Sequence, residues 1–206
     1  MTLPKKRMTA DDRRQSLIDA TIRVVTRLNY DRATTALIAK EAGVNEALIY
    51  NHYKSKKDLE MDTLDYLVDS RLALYRANPV FLAENRHQSV MRSLNAQYLK
   101  MIQSPEIQVF SCILKSMFAI ELDMQQKGAA CSKAFQEFIR DSLMEDRDRG
   151  FFDPRFDPDI IAWEILGKIM LVATMAVAGN LKQFGMEGVR KSIGYLEDIY
   201  LIKPEA

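Results

Sequence analysis

Apolar residues in this chain recur at intervals of three and four, and the two-residue alternation of strands is hard to find anywhere in it. Leu17, Ile18, Ile22, Val25 and Leu28 lie one, three or four apart and form one stripe of a first helix. Thr9 and Asp12 have the T-x-x-D spacing of a capping box and open that helix, and Asn29 closes it, since Asn tolerates a left-handed backbone. Thr34 is placed to cap a second helix that buries Leu37 or Ile38 together with Ala39. Gly43 supplies the turn after it, where a positive φ is cheapest without a Cβ. Asn45 caps a third helix with Ile49 and Tyr53 inward, leaving Glu46, Ala47, Leu48, Asn51 and His52 for the outer face. Ser55 and Asp58 repeat the capping spacing and open a long fourth helix that reaches about Arg76.

Asn78-Pro79, Ser104-Pro105, Lys127-Gly128, Gly150 through Pro158, and Gly179 then punctuate five more predicted helices. They fall near 85–103, 105–126, 130–149, 157–178 and 185–201. The reading is an all-α chain: a three-helix head in residues 1–54, joined by the long helix to a C-terminal helical bundle in residues 55–206. The composition agrees, with 48% apolar and 28% charged residues but only 8 glycines and 6 prolines.

Charge divides the chain. Residues 1–57 hold 12 Lys and Arg against 6 Asp and Glu, while the remainder is acidic although the net charge is only +1. A basic end on an acidic body suits a protein that meets a polyanion with one end only. Lys5, Lys6 and Arg7 form a basic arm with no apolar stretch behind it, so no signal peptide is expected and the cytoplasm is the expected compartment. The stretch from Ile160 to Ala178 is apolar enough to raise the question of a membrane, but Glu164, Gly167 and Lys168 inside it point to a buried helix at a packing interface. Cys112 and Cys131 have neither zinc-type spacing nor a C-x-x-C motif and read as buried, reduced thiols. His52 and His87 are the two histidines, and there is no Gly-rich phosphate loop or nucleophile elbow. An enzyme, a metal site or a cofactor therefore has little to rest on; His87 reads as solvated.

The stretch from Thr34 to Lys57 is laid out as a helix-turn-helix, whose second helix can enter the major groove of DNA. The run Ala33-Thr34-Thr35, Ile38-Ala39, Ala42-Gly43-Val44, Ile49-Tyr50, His52-Tyr53-Lys54 and Lys56 with Leu59 resembles the TetR family of transcriptional regulators over about residues 12 to 60. Beyond that, only length and helical count are similar. The resemblance implies a homodimeric repressor with a DNA-binding head and a C-terminal domain that binds a small effector and dimerises through its last two long helices. It also implies that effector binding changes the separation of the heads and releases a double-stranded operator.

On that basis Thr35, Tyr50, His52 and Lys56 are the expected contacts to the DNA backbone, Thr35 adding its hydroxyl and a helix N-terminus. Glu46, Ala47 and Leu48, in the first turn of the third helix, are the expected base readers. They depart from the common family pattern, where Gly is frequent at the position of Ala47 and a hydroxyl residue at that of Leu48. A carboxylate can accept from the cytosine amino group, and Ala and Leu can touch thymine methyls; equally, Glu46 is a first-turn acid favoured by the helix dipole.

For an effector, the candidate pocket residues are Phe110, Met117, Phe118, Phe135, Trp163, Glu164 and Met170, with Met124, Phe138 and Met175 adding apolar surface; flexible Met side chains suit bulky apolar ligands. Any one of them also reads as ordinary bundle core. Glu164 either meets a cationic ligand group or pairs with Lys168 one turn on, the second being preferred. The helix at 157–178 carries the small residues Gly167, Ala173, Ala176 and Ala178 and apolar residues on more than one side, so one side is expected to face a second copy. Replacing Ala173 with Arg is expected to split that pair. The competing reading is a helical adaptor or ligand-binding protein whose head no longer grips DNA.

Overall fold

The computed structural model describes residues 8–28, 31–77, 88–104, 107, 108 and 110–202, with 110 and 111 described by backbone alone. Its named elements are nine helices: α1 Ala10–Leu28, α2 Thr35–Ala42, α3 Glu46–His52, α4 Lys56–Arg76, α5 Val90–Ile102, α6 Phe110–Met117, α7 Leu122–Asp148, α8 Pro158–Val177 and α9 Leu181–Tyr200. The described residues are all-α, apart from one isolated pairing of Phe152 with Leu201 among them. Asn29, the basic arm at 5–7, Asn78-Pro79, His87 and Pro105 lie outside the described residues.

The head forms where the polar caps place it. Thr9 and Asp12 exchange hydrogen bonds, Thr9 N to Asp12 Oδ2 at 3.0 Å and Asp12 N to Thr9 Oγ1 at 3.1 Å, as a capping box requires. Thr34, Asn45 and Ser55 each accept from the amide three residues on, opening α2, α3 and α4. Between α2 and α3, Gly43 has φ 69° and its amide and that of Val44 close the end of α2 on Lys40 O and Ala39 O. Leu17, Ala20 and Val24 of α1, Ile38 of α2, Ile49 of α3 and Leu59 of α4 are almost entirely buried and hold these helices together as part of one hydrophobic core that continues into the rest of the chain. Tyr53, also buried, donates to Asp62 Oδ2 at 2.6 Å, and Arg14 reaches the same oxygen at 2.9 Å, tying α1 and α3 to α4.

The body differs from the sequence reading in two places. α6 ends at Met117, and α7 starts at Leu122 and runs straight through Gly128, where the sequence suggested a break. Gly128 is instead a point of close approach: a Cβ built there would lie 2.7 Å from Met117 N, so its missing side chain lets α6 pack on α7. In α9, Gly185 with φ 74° and ψ 155° interrupts an otherwise helical run, at the residue where the last helix was expected to begin. The sequence also gave no sign of the role of Asp146. This carboxylate on α7, completely buried, accepts from Ser89 Oγ (2.7 Å), Val90 N (2.7 Å) and Met91 N (3.0 Å) and so caps α5 from another helix.

One ion pair joins head and body, Lys115 on α6 to Asp31, just before α2, at 2.7 Å, and a second ties the start of α4 to α7, Lys57 to Asp123 at 2.6 Å. Both are exposed, and such pairs hold little energy in water.

α8 meets the length and composition of a membrane span, with 33% of the apolar stretch buried in this subunit. Its two central charges are built into the bundle. Lys168 Nζ donates to Ser192 O on α9 at 2.7 Å, and Glu164 accepts from the Tyr200 hydroxyl. The expected pairing of Glu164 with Lys168 is thus not formed, because α9 offers each a closer partner. Burial holds the Lys168 ammonium below its ordinary pKa. Ala173 is 0% exposed, so it faces the interior of its own subunit and not a second copy. The outward stripe of α8 is Ile160, Trp163, Gly167 and Leu171, and Phe184, Tyr195 and Ile199 continue exposed apolar surface on α9. Cys112 and Cys131 are buried thiols that form no disulfide, and burial pushes the Cys131 thiol up to about 11.

Candidate nucleic-acid interface and effector cavity

α3 is a seven-residue helix whose placement follows from two inward residues and its N-cap. Ile49 and Tyr53 anchor it to the core and Asn45 fixes its start, which turns Glu46, Ala47, Tyr50 and Asn51 to solvent. Tyr50 is 52% exposed, too open to be a core ring, and Lys54 follows it on the outside. Leu48, His52 and Lys56 are half-buried, with only part of each side chain at the surface. Lys56, the first residue of α4, pairs with Glu60 one turn on at 3.0 Å. The expected residues therefore lie on α3, the start of α2 and the start of α4, each with at least part of its side chain at the surface.

One contact there had no signal in the sequence. The Thr35 hydroxyl donates to Glu46 Oε1 across the turn. The hydroxyl expected to meet a phosphate is thus engaged by the carboxylate expected to read a base. What α2 still offers an anion is its first turn of amides, which have no intrahelical acceptor. Glu46 also sits in the first turn of α3, where its charge is stabilised by the helix dipole. Both readings of Glu46 made from the sequence remain compatible with this position.

In the body, a narrow apolar cavity of about 40 Å³ lies between α4, α5, α7 and α8. Phe135 and Met170 line it, as does Phe138; the larger part of its wall comes from residues the sequence did not single out, Tyr75, Met91, Leu94, Asn95, Tyr98, Met101, Ile139, Leu166 and Ile169. Phe118, 81% exposed, and Trp163, 50% exposed, lie on the outside, and Glu164 is exposed against Tyr200; these do not line it. Met117 packs at the α6–α7 contact, where Ser132 Oγ approaches its sulfur at 3.4 Å. The side chain of Phe110 lies outside the described residues. Helical periodicity showed which residues are apolar, but the helix rotations that separate wall from surface arise from packing on the neighbours.

The wall is almost free of charge. Its polar groups are the Asn95 amide, which donates to Glu197 Oε1 at 2.6 Å, the Tyr98 hydroxyl, which donates to Ile169 O at 2.8 Å, and the Tyr75 hydroxyl. Burial pushes the phenols of Tyr75 and Tyr98 above their ordinary pKa. Among the described residues no group of His, Cys, Asp and Glu is arranged to hold a metal ion.

Fold and head together define the class: an all-helical protein with a helix-turn-helix at one end and a cavity in its bundle. Residues 17–59 match the sequence model of the bacterial regulatory proteins of the tetR family. Over 56 residues the chain is 43% identical to the HTH-type transcriptional regulator BetI of Serratia proteamaculans; that stretch is 27% of this chain and only 28% of the relative's length. Two solved structures share the whole fold. A transcriptional regulator from Saccharomonospora viridis, in complex with choline, superposes with a TM-score of 0.75 at 16% identity, covering 94% of this chain and 100% of that one. The regulator FadR from Bacillus subtilis, in complex with stearoyl-CoA, gives a TM-score of 0.66 at 19% identity, covering 89% and 96%. The helix-turn-helix head, residues 17–59, is similar to that of the tetR-family transcriptional regulators, and the all-helical fold is shared along the described chain.

Proposed function

We propose that this protein is a ligand-responsive, sequence-specific DNA-binding regulator, acting as a repressor in the cytoplasm. Its head, residues 1–54, binds a palindromic operator, and its body, residues 55–206, dimerises and holds a largely apolar effector. The observation that carries this reading is the outer face of α3, which presents Glu46, Ala47 and Tyr50 to solvent while Ile49 and Tyr53 fix it from beneath. Tyr50, His52, Lys56 and the first turn of α2 hold the sugar–phosphate backbone; Glu46, Ala47 and Leu48 read bases.

Pairing follows from the outward surface of α8 and α9. Leu171, Trp163, Tyr195 and Ile199 leave apolar surface that a second copy covers, and two-fold pairing places two heads for two half-sites. Regulation follows from α4. Leu59 at one end of that helix is buried in the head, and Tyr75 near the other lines the cavity, 16 residues and so roughly 24 Å along the axis. A molecule that displaces Tyr75 shifts a rigid rod rooted in the head. The S. viridis and B. subtilis proteins, captured with choline and with stearoyl-CoA, show that this fold accommodates ligands of different chemistry. The bond between Thr35 and Glu46 favours the competing adaptor reading, since it withdraws one expected backbone contact.

Retention on genomic DNA as salt rises separates the two. A DNA-binding regulator shows a steep salt dependence, and Lys56→Ala lowers the slope of log affinity against log salt by about 1. Tyr50→Ala weakens binding to all sequences alike. Elution at low salt, unchanged by either substitution, establishes the adaptor instead.

A further inference from the structure

The turn between α2 and α3 brings two helix starts together. Thr34 caps α2 and Asn45 caps α3, so the backbones of Thr35 and Glu46, the first residue of each helix, are fixed by their own caps. Gly43, at φ 69°, makes the turn between them, and the buried side chains of Ile38, Ala39 and Ile49 hold both helices from beneath. Across that turn the Thr35 hydroxyl donates to the Glu46 carboxylate.

A free glutamate has several rotatable bonds, and ordering it on a base costs binding free energy. Here Oε1 already accepts from Thr35, and among the described residues no cation pairs with Glu46. The other oxygen, Oε2, is left to accept at a place set by two capped helices, on a side chain exposed at the start of α3. A carboxylate only accepts, so the acceptors that guanine and thymine present in the major groove repel it. Adenine and cytosine both present an amino group there, but adenine sets the acceptor N7 beside it and cytosine does not.

Resting on the reading of α3 as the base-reading helix, we propose that Thr35 is a positioning residue for base recognition. Its hydroxyl holds Glu46 Oε1 so that Oε2 accepts from the amino group of a cytosine, one in each half-site. Thr35 serves specificity and not grip on the phosphates, and it acts only through Glu46.

The test is selection of sites from random duplex DNA by the full-length protein, followed by affinities for the selected duplex and for duplexes with single bases replaced. The wild-type protein should prefer cytosine by about tenfold per half-site at the positions that Glu46→Ala relaxes. Thr35→Val keeps the branched shape and removes the donor; it should lower that ratio to about threefold and leave the affinity for the replaced duplexes unchanged. Thr35→Ser, which restores the donor, should keep the full ratio. Thr35→Val added to Glu46→Ala should change nothing further, because the two act as one unit. Thr35 is only partly buried, and an unchanged Tm shows that each variant is folded. Loss of affinity alike on every duplex, with the cytosine preference intact, makes Thr35 a backbone contact and overturns its positioning role, as does a Thr35→Val protein that reads the site as the wild type does. Enrichment of another base at the positions that Glu46→Ala relaxes overturns the cytosine assignment. A selected site that Glu46→Ala leaves unchanged overturns the reading of Glu46 as a base reader, and the role of Thr35 with it.

Discussion

Leu171→Arg is expected to separate the proposed dimer without unfolding either subunit. Leu171 is 61% exposed on the outward stripe of α8, so its substitution leaves the subunit's own core untouched. An exposed Leu side chain of this kind offers roughly 100 Å² to a partner, about 2.5 kcal/mol at 25 cal/mol per Å². Two-fold symmetry counts it twice, about 5 kcal/mol, or between three and four decades in the dissociation constant. Burying two arginines against apolar surface adds a further cost. Sedimentation equilibrium over a range of protein concentrations measures the change, and circular dichroism confirms that the helices persist. Ala173, two residues along and 0% exposed, supplies the contrast: Ala173→Arg loses the fold itself, because the new side chain has no way out of the core. A Leu171→Arg protein that remains as dimeric as the wild type refutes the placement of the interface on this stripe.

Substitutions at three further positions probe what holds the fold in register. Asp146→Ala leaves Ser89 Oγ and the amides of Val90 and Met91 without their acceptor, and should lower stability in urea by about 2–4 kcal/mol; a loss below about 1 kcal/mol contradicts its role as the cap of α5. Burial raises the Asp146 carboxyl above its ordinary 3.8 despite the bonds that lower it, so the folded state holds that proton more tightly and this group's contribution falls as pH rises from 3.8 through the folded value; Asp146→Asn should remove that slope. At Asp62 burial also acts to raise the pKa, but hydrogen bonds from Tyr53 and Arg14 bring it below 3.8; its stabilisation is present above 3.8 and lost as pH falls through the lower folded value, so Asp62→Asn should flatten the acid side of a Tm–pH profile. Gly128→Ala forces α6 away from α7 and should cost about 1–3 kcal/mol, which an unchanged Tm would exclude.

The head was legible in the sequence because its structure is local. Thr9, Thr34, Asn45 and Ser55 cap amides three residues away, and Gly43 sits at the turn that needs its conformation, so spacing alone locates α1 through α4. The body was less so, because its decisive contacts join residues far apart in the chain. Gly128 looked like a helix break, yet the reason for it is Met117 on another helix. Nothing in its spacing distinguishes Asp146 from the other acids of its helix, yet it caps α5. Glu164 and Lys168 had the right spacing to pair, but α9 supplies Tyr200 and Ser192 to them instead. For the same reason Phe135 and Met170 could be named as apolar, while the rotation that turns Trp163 and Phe118 outward and Tyr75 and Tyr98 inward is fixed only when the helices pack.

The central claim is that two heads read a symmetric operator through the first turn of α3, and selection of binding sites from random duplex DNA tests it most directly. The wild-type protein should enrich a two-fold symmetric site, and Glu46→Ala should relax one symmetric pair of positions in it while the rest of the site stays the same. Recovery of no enriched sequence, or of an identical site with Glu46→Ala, contradicts the account.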